Sequence, residues 1–201
     1  MWFKKKERPL ETARITNSMN IASEKEYREQ KRQDSSGVVK LLLVSDSHGR
    51  EEGILRAIAQ EEPFDAAFHL GDSQEPAGTI EPLFSCPCYI IAGNCDYYFN
   101  QYPREKVVEI GGHRIFLTHG NSYMASSSYD FLAETARDNA CDIVLFGHTH
   151  VPACEYMDGV WVLNPGSISY PRQQGRERSY MVVYLKPGDA VHAVDAWIRY
   201  L

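Results

Sequence analysis

A chain of 201 residues with 43% apolar and 24% charged residues is long enough for one domain with a good core and has the balance of a globular protein. Its net charge of −6 argues against broad nucleic-acid binding, which shows as a basic surface, so no stable nucleic-acid complex is expected. No apolar run approaches the roughly 20 residues that span a bilayer, no apolar signal region follows the basic N-terminus, and the five cysteines Cys86, Cys88, Cys95, Cys141 and Cys154 fit neither a disulfide framework nor a zinc ribbon; reduced thiols in a cytoplasmic protein are the expectation.

Residues 1–37 differ from the rest. They hold nine Lys/Arg against six Asp/Glu, so the basic charge lies at the N-terminus and the remainder is strongly acidic. Asn20 to Arg32 suits a polar helix with little beyond Ile21 and Tyr27 to bury. The segment is expected to be a mobile or loosely docked extension, with an oligomerisation or docking arm anchored by Trp2 and Phe3 as the alternative; a homo-oligomer is compatible with that arm. The domain proper is expected over 38–201.

Val38 to Ser45 is apolar apart from Lys40 and reads as a central strand covered on both faces. It runs into Asp46-Ser47-His48-Gly49, and Glu51 to Gln60 follows with helical spacing in Ile54, Leu55 and Ile58. Asp65 to Leu70 is a second strand ending in Gly71-Asp72, and Pro76 and Pro82 punctuate the segment after it. Cys88 to Ala92 is a third, ending in Gly93-Asn94-Cys95-Asp96. Strands separated by helical stretches imply parallel pairing. Lys106 to Ile110 and His113 to Thr118 then form a hairpin through Gly111-Gly112, ending in His119-Gly120. Tyr129 to Asn139 has helical spacing in Phe131, Leu132 and Ala136. Asp142 to Phe146 is a buried strand leading into Gly147-His148-Thr149-His150. Val151 to Tyr156 and Val160 to Leu163 flank Met157-Asp158-Gly159, a second hairpin, and Asn164-Pro165-Gly166-Ser167 turns back. Tyr180 to Leu185 and Ala190 to Ile198 close the chain as strands. The pattern predicts a mixed α/β domain, two sheets face to face with helices outside.

The chemistry gathers at strand ends, where α/β proteins keep their active sites. Asp46, His48, Asp72, Asn94, His119, His148 and His150 make four imidazoles, two carboxylates and an amide. His148 and His150 lie two apart, and in extended backbone such residues face one way. The set suits two divalent cations with a shared carboxylate, and Mn, Fe, Zn, Co or Ni better than Ca or Mg; manganese is the expected metal. Two such ions about 3.5–4 Å apart would hold a hydroxide and clamp a phosphoryl group for in-line attack. Neighbouring glycines (Gly49, Gly71, Gly93, Gly120, Gly147) permit close backbone approach.

Asp46-x-His48, Gly71-Asp72, Gly93-Asn94, His119-Gly120 and Gly147-His148-Thr149-His150, in this order over residues 38 to about 198, resemble the five motifs of the calcineurin-like metallophosphoesterases. The resemblance implies a four-layer α/β/β/α sandwich and a dinuclear, metal-dependent phosphodiesterase acting on a small phosphodiester or nucleotide-like substrate by attack of a metal-bridging hydroxide. It also implies Asp46, His48 and His150 on one metal, Asp72 bridging, and Asn94, His119 and His148 on the other. Asn94, Cys95 and His119 are the candidate catalytic residues. Many family members carry a histidine where Cys95 stands, and that histidine helps protonate the leaving group; the cysteine and the Asn164-Pro165-Gly166-Ser167 turn are similar to the small prokaryotic phosphodiesterase branch. The fold also resembles the metallophosphoesterase-like subunit of the retromer coat, an interaction surface, so a non-catalytic scaffold is the second reading; a scaffold is free to lose ligands, and this chain has all seven. A nucleotide or nucleic-acid phosphatase is a third.

Outside that set, His69 is expected to be a strand residue, His113 and His192 surface residues, Asp96 a cap or orienting group, and Cys86 and Cys88 packing. Tyr97, Tyr98, Phe99 and Tyr102 are candidates for a cleft wall, a base-stacking surface or a partner surface. Arg104 or Arg172 could meet a phosphate.

Overall fold

The computed structural model describes residues 37–97, 102–188 and 190–201. The N-terminal extension, apart from Gly37, and Tyr98 and Phe99 lie outside the described residues. Among the described residues ten strands form two five-stranded sheets. The first sheet contains β1 (Val39–Val44), β2 (Ala66–His69), β3 (Cys88–Ile90), β9 (Ser179–Leu185) and β10 (Val194–Tyr200), in the order β10-β9-β1-β2-β3. The second contains β4 (Glu105–Ile110), β5 (His113–Thr118), β6 (Ile143–Leu145), β7 (Ala153–Met157) and β8 (Val160–Asn164), in the order β4-β5-β6-β8-β7. In each sheet three strands run parallel, β1-β2-β3 and β5-β6-β8, with antiparallel partners outside them.

Alternation along the strands builds the layers. Leu41 and Leu43 of β1 point inward and meet Ile115, Leu117, Ile143 and Leu145 of the other sheet in one core. Leu42 and Val44 point outward, onto Ile54, Ala57 and Ile58 of α1 (Glu52–Glu61). Phe116, Val144 and Val162 do the same on the far side, against Leu132, Ala133 and Ala136 of α2 (Asp130–Asp138). The order is helix, sheet, sheet, helix, the expected four-layer sandwich. Both hairpins form as their turn residues require: Gly111 and Gly112 (φ 61° and 84°), and Asp158 and Gly159 (φ 50° and 88°), take the positive φ pair of a tight two-residue turn.

Two expectations need correction. Ala190 to Ile198 is not strand throughout, because a short helical turn, α3 (Ala190–Ala193), precedes β10. His113 is buried, not at the surface: its Nδ1 lies 2.6 Å from Asp142 Oδ2 and its Nε2 faces the Lys186 carbonyl at 3.3 Å. A hairpin position beside two glycines looks exposed until Asp142, 29 residues later, is folded over it. Lys40, the charge that interrupts the first apolar run, is also buried, with Nζ donating to the Glu61 carbonyl at 2.6 Å and to Glu61 Oε2 at 2.9 Å. A buried ammonium survives only when so paired.

Candidate metal centre

The six parallel strands deliver their carboxyl ends to one edge of the sandwich. The ladder continues past the strand ends: Asp46 N–H donates to the Gly71 carbonyl (3.0 Å), His48 N–H to that of Asp72 (3.0 Å), and Gly147 N–H to that of His119 (3.0 Å). The two sheets are stitched together at this edge. His119 Nδ1 meets the Leu70 carbonyl at 2.7 Å, His148 N–H donates to Asp46 Oδ2 at 3.2 Å, and Ser167 Oγ–H donates to the Asp46 carbonyl at 2.9 Å. The Asn164 turn supports the histidine loop: Nδ2 donates to the Gly147 carbonyl (2.7 Å) and to Thr149 Oγ1 (3.1 Å), while Oδ1 accepts from Gly166 N–H (2.7 Å).

Strain concentrates here. Asp46, His48, Asp72, His148 and His150 all adopt positive φ, from 48° to 67°. L-residues are rarely left-handed, at a cost of about 1–2 kcal/mol each, and surrounding structure must impose it. The expectation that His148 and His150 face one way because the backbone is extended is thereby corrected. β6 ends at Leu145, and the left-handed histidines diverge. His150 Nε2 lies 3.3 Å from His48 Nε2 and 3.2 Å from Asp46 Oδ1, while the His148 ring stands edge-on to that of His119, centroids 5.3 Å apart.

Donor atoms of Asp46, His48 and His150 gather within 4.8 Å of one another, as do those of Asp46, Asp72 and His119, and those of His48, Asp72 and Cys95. Asn94 follows β3 at the same edge, exposed, with its amide donating to Cys95 Sγ at 3.3 Å. Cys95 N–H donates to Asp72 Oδ1 at 2.7 Å. Asp96, expected as a cap or orienting group, accepts from Asp72 N–H (2.8 Å), Gly93 N–H (2.7 Å), Gln74 N–H (2.7 Å) and Ser73 Oγ–H (3.2 Å) and so clamps the loops together. His69 is a buried strand residue whose Nε2 pairs with Ser47 Oγ at 2.9 Å; burial lowers its pKa to about 4 and keeps it neutral.

The donor set fits divalent cations. Three of the four candidate ligand histidines have Nδ1 against an oxygen acceptor: His119 on Leu70 O (2.7 Å), His150 on Tyr170 O (2.5 Å) and His48 on Gln74 Oε1 (3.2 Å). Such partners place the proton on Nδ1 and leave the Nε2 lone pair free to ligate. The buried His119 Nε2 has no hydrogen-bond partner, and neither does Asp46 Oδ1; His119 Nε2 sits 3.4 Å from Asp72 Oδ2 and 3.9 Å from Asp46 Oδ1. Buried polar atoms are rarely left without partners. Burial opposes a charge on His119, yet Asp72 and Asp46 outweigh it and raise its pKa. Burial likewise opposes the charged form of Asp72, but His119 and the Cys95 N–H hold its carboxyl well below the usual range. Both shifts arise from the same His119–Asp72 contact, with Asp46 adding to the negative surroundings of His119. Burial and the Asp72 carboxylate push the Cys95 thiol up to about 11, so it stays protonated at neutral pH.

The wall around these groups was partly hidden in the sequence. Gln74, Tyr170 and Arg176 have no counterpart among the candidate residues of the sequence; Gln74 and Arg176 are left-handed, as Asp46, His48, Asp72, His148 and His150 are. Ser169-Tyr170-Pro171 carries no chemical signature until Tyr170 O is found on His150, although Arg172 beside it is a candidate phosphate contact. Tyr102 donates to Glu81 Oε1 at 2.6 Å, accepts from Gly78 N–H at 2.9 Å and packs on the outer core of the first sheet. Tyr97 is exposed, with the Arg104 guanidinium 5.7 Å from its ring centre. Cys86 and Cys88 are free thiols packed against that same outer core, and His192 is exposed.

A four-layer sandwich whose strand ends collect imidazoles around buried carboxylates is the architecture of a metal-dependent phosphoesterase. Residues 39–188 match the model of the calcineurin-like phosphoesterase superfamily domain, and the chain belongs to that superfamily. It is 33% identical over 148 residues to a Bacillus subtilis protein named as a probable metallophosphoesterase, YsnB, covering 73% of this chain and 84% of that one. It is 29% identical over 167 residues to the phosphodiesterase YfcE of Escherichia coli, covering 71% and 86%. A Streptococcus pneumoniae structure described as a predicted phosphoesterase superposes with a TM-score of 0.68 at 28% identity, covering 81% and 98%. Vacuolar Protein Sorting 29 from Cryptosporidium parvum shares the fold, with a TM-score of 0.65 at 21% identity, covering 82% and 98%. No helix among the described residues is long and apolar enough to cross a membrane.

Proposed function

We propose that the protein is a dinuclear metal-dependent phosphodiesterase acting on small phosphodiesters. Asp46, His48 and His150 would hold one divalent cation, Asn94, His119 and His148 the other, and Asp72 would serve both. Such a pair supplies a nucleophile from water at neutral pH and charge stabilisation for phosphoryl oxygens. The supporting observation is the set of oriented Nε2 atoms around two buried carboxylates, with His119 Nε2 and Asp46 Oδ1 left unpartnered. The chain's own residues fix tautomers through Leu70, Tyr170 and Gln74 and fix Asp72 through Cys95 N–H. Hydrolysis of bis(p-nitrophenyl) phosphate by metal-stripped protein is expected to return when manganese is added, and to be lost in His119→Ala. Inactivity with each of Mn, Ni, Zn, Fe and Co would leave the scaffold reading in its place.

Cys95 bears on leaving-group chemistry. A thiol, with an ordinary pKa of about 8.5, is a weaker acid than imidazolium, and general-acid help is worth about 10²–10⁴-fold. Activated diesters, whose leaving groups need no proton, are therefore the favoured substrates. Cys95→His is expected to raise kcat on alkyl phosphate monoesters more than on p-nitrophenyl diesters. Equal change on both would remove Cys95 from any role in leaving-group selection.

A further inference from the structure

A cleft of about 590 Å³ opens beside the centre, lined by His48, His150, Ser169, Tyr170, Arg172 and Arg176 among others. Its size is that of a small-ligand site, roughly 300–1,000 Å³. Its charge runs against that of the domain. Among the described residues Arg56, Arg114, Arg137, Arg178 and Arg199 each face a carboxylate, whereas Arg172 and Arg176 in the cleft, like Arg104 over the Tyr97 ring, have no carboxylate partner. A third guanidinium, that of Arg50, lies 4.4 Å from the centre of the Tyr170 ring at the rim. Ser169 Oγ is buried in the cleft lining without a hydrogen-bond partner.

The cleft is tied to the metal centre through backbone. Tyr170 O accepts from His150 Nδ1, and Arg172 N–H donates to the His150 carbonyl at 3.0 Å. Ser167 Oγ accepts from Tyr170 N–H at 2.7 Å while donating to the Asp46 carbonyl. The arginines therefore start from a fixed distance to the groups that would hold the scissile phosphate. Two unpaired guanidinium forks and a spare hydroxyl match the several acceptor oxygens and double charge of a phosphate. In a domain this acidic, a compact anion can be held only where cations are gathered.

We propose that this cleft binds a second phosphate on the non-scissile side of the substrate, so that the preferred substrates are phosphodiesters carrying a further phosphate group. The inference rests on the phosphodiesterase reading above. It is tested with a matched pair: thymidine 5′-(p-nitrophenyl phosphate) and the same ester bearing a 3′-phosphate, with the full chain and manganese. The wild type is expected to favour the 3′-phosphorylated ester by about tenfold in kcat/KM, the scale of one or two charge-assisted hydrogen bonds. Arg172→Ala/Arg176→Ala should bring that ratio close to one, while Arg137→Ala, on the far side of the domain, should leave the ratio as in wild type. Hydrolysis of the plain ester with no preference in the wild type, or a preference that survives in the double variant, overturns the subsite and leaves the phosphodiesterase reading standing. Hydrolysis of neither ester, with bis(p-nitrophenyl) phosphate also untouched under all five metals, ends that reading instead. Calorimetric binding of thymidine 3′,5′-bisphosphate to the metal-free chain then decides the cleft by itself: about tenfold weaker binding in the double variant upholds it, and equal binding overturns it.

Discussion

Asp72→Asn is expected to lower kcat/KM on an activated aryl phosphodiester by about a thousandfold while leaving the metal-free protein folded. Removing one electrostatic stabiliser from a catalytic centre costs about 10²–10³-fold in kcat, roughly 2.7–4 kcal/mol, and about 1.4 kcal/mol corresponds to each tenfold in rate. The substitution keeps shape. An amide oxygen can still accept from Cys95 N–H, as Asp72 Oδ1 does at 2.7 Å, and the amide nitrogen would face His119 Nε2, which now has no partner. The metal-free melting temperature should therefore stay within a few degrees of wild type. What should go is the response to cation. An ion at a hundred times its Kd adds about 2.7 kcal/mol, or roughly 5–10 °C for a chain of this size at about 2–4 °C per kcal/mol. The wild type should show that rise with manganese, and the variant at most half of it. A variant that melts well below wild type without metal, yet keeps the full rise with metal, would make Asp72 a structural carboxylate.

That expectation was readable because the strand ends are. Val38 to Ser45 could be only a buried strand, and the residues that leave such a run at the carboxyl edge of a parallel sheet are placed by the topology alone. Asp46, Asp72 and His119 could thus be brought together before any contact was known. The same reasoning failed at His148 and His150, where period-two alternation was applied to backbone that had already left the sheet. Their left-handed φ is imposed by partners distant in sequence, Asp46 and Asn164 among them. His113 failed for a like reason, its carboxylate lying in a later strand connection. Gln74 and Tyr170 act through one side-chain oxygen and one main-chain carbonyl, neither of which has a residue-type signature. Lys40 stood out as an interruption, but its partner Glu61 belongs to the end of α1, where a carboxylate is ordinarily solvated. What local pattern specifies was legible; what depends on which remote group arrives was not.

Gly93→Ala is expected to be as damaging as loss of a ligand, although Gly93 carries no chemistry and has no positive φ to defend. A Cβ there would sit 2.0 Å from Asp72 Oδ1 and 2.4 Å from Asp72 N. Neither neighbour can give way cheaply. Gly93 N–H and Asp72 N–H both donate to Asp96 Oδ2, at 2.7 and 2.8 Å, so a single carboxylate oxygen pins the ends of β2 and β3 together. Relief requires breaking that clamp or turning the Asp72 carboxylate out of the centre. Overpacking of this kind costs about 1–3 kcal/mol, a fall of roughly 2–12 °C at the slope for a chain of this size. Displacement of a reacting group by about 1 Å costs on the order of a hundredfold in rate. Gly78→Ala is the control: it has φ +84° but nothing within 4 Å of the added atom, so it should carry backbone strain of about 1–2 kcal/mol and wild-type activity. Equal loss of stability in the two variants with activity retained in both would mean that the spacing of β2 and β3 does not govern Asp72. A hundredfold loss and a diminished manganese response in Gly93→Ala alone would locate the control of the centre in main-chain proximity at the two strand ends, enforced by Asp96.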